Sequence, residues 1–279
     1  MKSNLVDISS SKIGAVVQAP YSKSYINRAL ILAAINPRPV QIENITYSRD
    51  VQDLVSCLKT IGLEIREEEN CISVVNSFPA CELESIVPIA VYTGDGGTTT
   101  RFMMALLALG SNAYHVYPSA QMLKRPIVEL ISALDDLQIS TLCQSDFYSI
   151  QGPLKKNEIS VDCSKTTQVA SALMLIGLEV QVKGLTSSAL YIEMTKELIA
   201  SHQNSTRIKA PIDFSGLSYI AAYATLNQDV LVSNCFELDS NQSDSSILEI
   251  INTSGGRAEF TDGGLRIYKA KSLNEFDLN

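Results

Sequence analysis

Lys23, Ser24 and Arg28 lie in the segment Pro20-Tyr21-Ser22-Lys23-Ser24-Tyr25-Ile26-Asn27-Arg28. Pro20 blocks a helix before it, and Ser22 can cap one after it. Ile26, Ala29, Leu30, Ala33 and Ala34 recur at helical spacing, which predicts a helix with one buried apolar face. Lys23 and Ser24 then fall in the first turn, and Arg28 follows one turn later on the same side as Ser24. Free backbone N–H groups, a first-turn ammonium and a guanidinium make an anion site. The same residues also suit a capped helix whose charges are simply solvated.

Three further stretches have comparable chemistry. Gly94-Asp95-Gly96-Gly97-Thr98-Thr99-Thr100-Arg101 offers glycines that let the backbone approach an anion ahead of a helix. A structural turn explains it equally well, and no Gly-Lys-Ser/Thr follows to make a P-loop. In Met122-Leu123-Lys124-Arg125-Pro126-Ile127, Pro126 suits the first position of a helix, and Arg125 can hold a carboxylate or phosphate with two hydrogen bonds. Surface charge is the alternative reading of Lys124 and Arg125. Thr166-Thr167-Gln168 places two hydroxyls and an amide before another helix, as cap, ligand or both.

The elements that must position these residues repeat. Apolar runs at 89–93, 159–163 and 207–212 each enter a Ser/Thr/Gly-rich turn, and helices are predicted at 102–109, 169–178 and 217–226. Second helices are predicted at 50–61, 126–137, 192–201 and 243–253. Hairpins follow three of them: 63–66 with 71–75, 140–143 with 148–151, and 258–260 with 265–268 across Thr261-Asp262-Gly263-Gly264. Residues 4–19 read as one or two strands. The unit is strand-helix-strand-helix-strand-strand, repeated about four times, and the third copy lacks a clear final hairpin. Units that cannot bury their own apolar faces stack on their sisters.

Composition narrows the field. The chain has 279 residues, 46% hydrophobic and 19% charged, with a net charge of −8. That charge argues against nucleic acid, and any anion site needs locally concentrated cations. No apolar run reaches a membrane span, and the N-terminus lacks a signal-peptide core. The six cysteines form no CxxC pair and the two histidines no metal cluster, so reduced thiols and no metal are expected, in a cytoplasmic protein.

Ser22-Lys23-Ser24-x-x-Asn27-Arg28-Ala29-Leu30-x-Leu32-Ala33-Ala34 resembles the N-terminal signature of the EPSP synthase family, the 3-phosphoshikimate 1-carboxyvinyltransferases among the enolpyruvyl transferases. Four or five motifs match in order across essentially the whole chain. The resemblance implies an α/β fold, the inside-out barrel of repeated βαβαββ units. It implies that 21–211 is a complete three-unit domain on the shikimate 3-phosphate side. Residues 1–20 and 212–279 would supply one of three units of a second domain, its apolar faces at 217–226 and 247–251 left open. The chain would be truncated at its C-terminus.

The activity so implied is transfer of the enolpyruvyl group of phosphoenolpyruvate to the 5-hydroxyl of shikimate 3-phosphate, with release of phosphate, in the shikimate pathway to aromatic amino acids. Lys23 would be catalytic and touch both substrates. Shikimate 3-phosphate would meet Lys23, Ser24, Arg28, Thr166, Thr167, Gln168, Ser188 and Tyr191. Here Thr-Thr-Gln replaces the family's Ser-Ser-Gln, and Ser188-x-x-Tyr191 matches its Ser-x-x-Tyr. Phosphoenolpyruvate would meet Lys23, Asp95, Gly97, Thr98, Arg101, Arg125 and Gln168, with Asp95 where asparagine is common. Asp213, Ser215, Ser218 and Tyr219 match a signature read here as structural. No cofactor, metal, nucleic acid or membrane partner is implied, and the full-length protein would be a monomer. The family's catalytic aspartate and glutamate come from later units, so this chain alone is expected to be inactive. The alternatives are a non-catalytic anion-binding fragment and UDP-N-acetylglucosamine enolpyruvyl transferase, whose Lys-Asn pair and loop cysteine are not matched.

Overall fold

A computed structural model describes residues 14–184, 188–202 and 205–274; the strand expected within 4–13 lies outside them. By their contacts the residues fall into two compact units, Lys23–Ala210 and the pair of segments Met1–Ser22 and Pro211–Asn279.

The chain begins with β1 (Ala15–Val17) of the split unit and enters the 23–210 unit at α1 (Lys23–Ala34). There follow β2 (Val40–Glu43), α2 (Arg49–Thr60) and the hairpin β3 (Ile65–Glu68) and β4 (Cys71–Val74). The second repeat is β5 (Ile89–Gly94), α3 (Gly97–Leu107), β6 (Ala113–Pro118), α4 (Val128–Asp136), β7 (Ser140–Cys143) and β8 (Tyr148–Gln151). The third is β9 (Glu158–Asp162), α5 (Gln168–Leu175), β10 (Glu179–Lys183), α6 (Ala189–His202) and β11 (Arg207–Lys209).

Three helices are central because their sequences are apolar nearly all round. Every residue of α1 from Ile26 to Ala34 is buried, as are ten positions of α3 and Val169–Leu175 of α5. The one-faced burial expected for α1 is therefore an underestimate, since this helix packs against α2, α3, α5 and α6 together. The sheets lie outside and alternate: along β6, Tyr114, Val116 and Pro118 are buried while Ala113, His115 and Tyr117 are half-exposed. Sheet order is β5-β6-β8-β7 in one case and β11-β2-β4-β3 in another. β11 thus leaves the third repeat and pairs parallel with β2. Among the described residues the third sheet contains only β9 and β10, in parallel.

Some boundaries differ from expectation. α3 begins at Gly97, so half of the glycine-rich turn is its first helical turn. Gly177, at φ +93°, follows α5, which ends at Leu175 and not at 178. α4 begins at Val128, with Pro126 outside it: Arg125 is held extended at φ −86°, ψ 144°, as a residue before proline prefers, and the Pro126 carbonyl accepts from Arg101.

In the split unit, α7 (Phe214–Asn227), β12 (Val230–Val232), α8 (Ile247–Thr253), β13 (Arg257–Thr261) and β14 (Gly264–Tyr268) join β1. Its sheet runs β1-β12-β14-β13, and Thr261 pairs with Gly264 across the Asp262-Gly263 turn. Asp213 caps α7 by accepting from Ser215 N–H at 3.1 Å, and Ser218 Oγ donates to the Ser215 carbonyl at 2.7 Å. The open faces expected here are corrected in part. Leu217, Leu248 and Ile251 are buried in one core with residues of the sheet; the large apolar side chains that remain exposed on α7 are Tyr219, Tyr223 and Leu226. The six cysteines are free thiols. Among the described residues no helix is long and apolar enough to cross a membrane.

Candidate anion-binding site

Arg28, in the second turn of α1, is 3% exposed. Its Nη1 donates back to the Ser24 carbonyl at 2.8 Å, its Nε to Thr195 Oγ1 at 2.8 Å, and its Nη2 to Ser171 Oγ at 3.4 Å. Its guanidinium carbon lies 5.5 Å from the Phe102 ring centre and 5.4 Å from that of Tyr191. Among the described residues no carboxylate pairs with it. Burial pushes its pKa down to about 10, against a smaller upward effect of Tyr191. The group is still cationic at neutral pH, desolvated, and held by neutral oxygens. Such a cation gains strongly from an incoming anion.

Arg101 repeats the device in α3. Its Nη1 donates to the Gly97 carbonyl four residues back at 3.0 Å and to Gln168 Oε1 at 2.9 Å, while Nη2 binds the Pro126 carbonyl. Ser24 and Arg28 in α1 thus correspond to Gly97 and Arg101 in α3. Burial holds Arg101 below the ordinary guanidinium range; the Arg125 charge adds to this and Glu129 opposes it. A Cβ on Gly97 would lie 2.9 Å from Arg101 Nη1, 3.4 Å from Arg125 Nη1 and 3.5 Å from Gln168 Oε1. Glycine therefore lets two guanidiniums and an amide converge on the first turn of a helix.

Lys23 joins this group through α2. Its Nζ sits 3.0 Å from Asp50 Oδ2, and the Asp50 carbonyl accepts from Thr99 Oγ1 at 3.3 Å. Asp95 accepts from the Ser119 hydroxyl. At the start of α5, Thr166 Oγ1 accepts from Gln168 N–H at 3.2 Å; Thr167 is buried and makes no side-chain cap bond. Ser188 directly precedes α6 and Tyr191 lies in its first turn, where Tyr191 N–H donates to the Ser188 carbonyl at 3.1 Å. Thr98 is half-buried in the first turn of α3.

The structure thus gathers two clusters, joined by the first turns of α5. One holds Ser24, Arg28 and Tyr191; the other holds Gly97, Arg101, Arg125 and Gln168, with Lys23 linked through Asp50. The first turns of α1, α3 and α5 meet here, and helix N-termini carry partial positive charge. Sequence reasoning missed Asp50, Phe102, Ser119, Ser171 and Thr195. Thr195 had a signal, standing one helical turn after Tyr191. The others are ordinary in sequence and show their part only by contact.

Residues 8–205 match the model of the family described as EPSP synthase (3-phosphoshikimate 1-carboxyvinyltransferase). The chain is 27% identical to the 3-phosphoshikimate 1-carboxyvinyltransferase of Methanothermobacter thermautotrophicus, over 97% of the chain and 70% of that protein. It is 32% identical to that of Opitutus terrae over 66% of the chain and 45% of the relative, and 26% identical to that of Serratia proteamaculans over 90% and 65%. The chain thus spans between 45% and 70% of the length of these relatives. An EPSP synthase structure from Acinetobacter baumannii superposes with a TM-score of 0.74 at 16% identity, covering 95% of this chain and 68% of that one. The fold is the inside-out α/β fold of these structures, with helices central and sheets outside. The alternative UDP-N-acetylglucosamine enolpyruvyl transferase is not favoured by these names. With the model covering well over half of its residues, the chain belongs to the EPSP synthase family.

Proposed function

We propose that this chain binds shikimate 3-phosphate and phosphoenolpyruvate and serves enolpyruvyl transfer between them, releasing phosphate. In that reaction the 5-hydroxyl oxygen adds to the enol carbon, the methylene takes a proton, and a proton and phosphate are then lost. The observation that carries the reading is Arg28, a buried cation without a carboxylate partner among the described residues, one helix from the Gly97-Arg101-Arg125-Gln168 cluster. Two anionic substrates need two such cationic sites. On this reading Ser24, Arg28, Thr166, Thr167, Ser188 and Tyr191 hold shikimate 3-phosphate. Gly97, Thr98, Arg101 and Arg125 hold phosphoenolpyruvate, with Lys23 and Gln168 between the two and Asp95 beside the second. A phosphate-binding module without turnover is the second reading. Two of the carboxylates near these cations favour it for this polypeptide alone, since Asp50 is paired with Lys23 and Glu129 with Lys165, while Asp95 accepts from Ser119. Equilibrium dialysis with labelled phosphoenolpyruvate tests the substrate assignment. Retention should rise when shikimate 3-phosphate is present and fall about tenfold or more with Arg125→Ala. Retention indifferent to both would refute it.

A further inference from the structure

The three four-stranded sheets share one plan. A first strand runs parallel to a second, and an antiparallel strand lies on the second strand's far edge: β4 on β2, β8 on β6, β14 on β12. β10 is the second strand of the third repeat, and among the described residues no strand occupies that edge. After α6 the chain passes directly to β11, which pairs with β2 instead.

The open edge has a defined chemistry. Glu179 N–H donates to the Asn157 carbonyl at 2.7 Å, and the Lys183 carbonyl accepts from Cys163 N–H at 2.7 Å. Alternate residues of a parallel strand face its neighbour, so Glu179, Gln181 and Lys183 turn their backbone groups to β9. The N–H and C=O groups of Val180 and Val182 therefore face the open edge, unpaired by any strand among the described residues. The side chains alternate too, with Val180 and Val182 half-buried and Glu179, Gln181 and Lys183 exposed.

We propose that this edge docks a second copy of the chain, β10 antiparallel to β10 about a two-fold axis through Gln181. The strand reads Glu-Val-Gln-Val-Lys, and in this register it complements itself. Glu179 faces Lys183 of the second copy, Val180 faces Val182, and Gln181 faces Gln181. The register also pairs the residues whose backbone groups point outward, so Val180 and Val182 exchange the bonds across the axis. A slip of one residue loses both matches. Within one copy Glu179 stands opposite Glu158 in the β9 pairing, and neither Glu179 nor Lys183 forms an ion pair among the described residues. Lys183 of the second copy offsets that acidic pair. The result is a four-stranded sheet β9-β10-β10-β9 with an isologous interface, in place of the monomer that family resemblance implies. Two five-residue strands make a small interface, so the dimer is weak.

Sedimentation velocity of the 279-residue chain tests this, from about 1 µM to a few hundred µM. The mean mass should rise from 30.4 kDa toward twice that value with concentration. Glu179→Lys and Lys183→Glu should each weaken association about threefold to tenfold, and the double swap should restore it to within about twofold. Val180→Pro removes an N–H from the open edge without touching β9 and should leave a monomer, its fold checked by circular dichroism. If that variant does not fold, the charge swap still decides. A 30.4 kDa species at every concentration overturns the proposal. So does a dimer unmoved by Glu179→Lys, or slow exchange of the Val180 and Val182 amides in the monomer, which would mean the edge is already covered.

Discussion

At the scale of single residues, Arg28 and Gly97 set opposite demands on stability and function. Arg28 is a cation buried at some cost and, among the described residues, without a counter-charge. Arg28→Met fills the same space with no charge, so it should raise stability to urea by about 1 kcal/mol while weakening shikimate 3-phosphate binding at least about tenfold. The pH dependence follows from the direction of the shift. Burial lowers the folded pKa to about 10, well below the ordinary guanidinium value, so between the two the unfolded chain binds more protons and wild-type stability rises with pH. The advantage of Arg28→Met should be constant below pH 10 and shrink above it, as urea titrations at several pH values would show. Gly97→Ala places a methyl 2.9 Å from Arg101 Nη1 and must displace the guanidinium. Phosphoenolpyruvate affinity should fall about tenfold or more, with stability changed by only about 1 kcal/mol. Equal affinities for the two proteins by dialysis would count against the assignment of that cluster.

At the scale of elements, the question is what holds the cations in place. Thr195 on α6 accepts from Arg28 Nε at 2.8 Å and stands 3.0 Å from Ser171 Oγ of α5, so three helices meet on one hydroxyl. Thr195→Val leaves a buried guanidinium N–H without an acceptor and should cost about 1–3 kcal/mol. Thr195→Ser should recover most of that loss and of the ligand affinity; no recovery would show the methyl, and not the hydroxyl, to be what matters. Much of this arrangement is legible in the sequence, because strand, glycine or threonine turn, and alanine-rich helix follow one another in a repeating order. The hairpins β7–β8 and β13–β14 stand within one residue of the expected bounds, since alternation and turn residues locate them locally. What escapes is set by long-range contact. Arg28 and Thr195 are 167 residues apart, and β11 pairs with β2 across a similar span. The helical start at Gly97 escapes as well, because glycine argues against a helix until tertiary packing overrides it.

At the scale of the whole molecule, the two units have unequal cores. The 23–210 unit encloses three helices buried nearly all round, whereas α7 of the split unit keeps Tyr219, Tyr223 and Leu226 exposed. Amides of β12 and β14 should therefore exchange with deuterium sooner than those of β6 and β8; equal protection would show the smaller unit to be as stable as the larger. Chemistry divides in the same way. The 23–210 unit supplies cations and helix termini, while Asp50 and Glu129 are each engaged by a lysine and Asp95 by Ser119, so the 279-residue polypeptide should bind substrate without measurable phosphate release. The most direct test is calorimetry of shikimate 3-phosphate with this polypeptide, beside Lys23→Ala and Arg28→Met. The expected result is a saturable heat in roughly the micromolar to millimolar range, weakened at least about tenfold by either substitution. No heat at millimolar ligand, or binding that both substitutions leave unchanged, would contradict the assignment of an anion site to the meeting point of α1, α3 and α5.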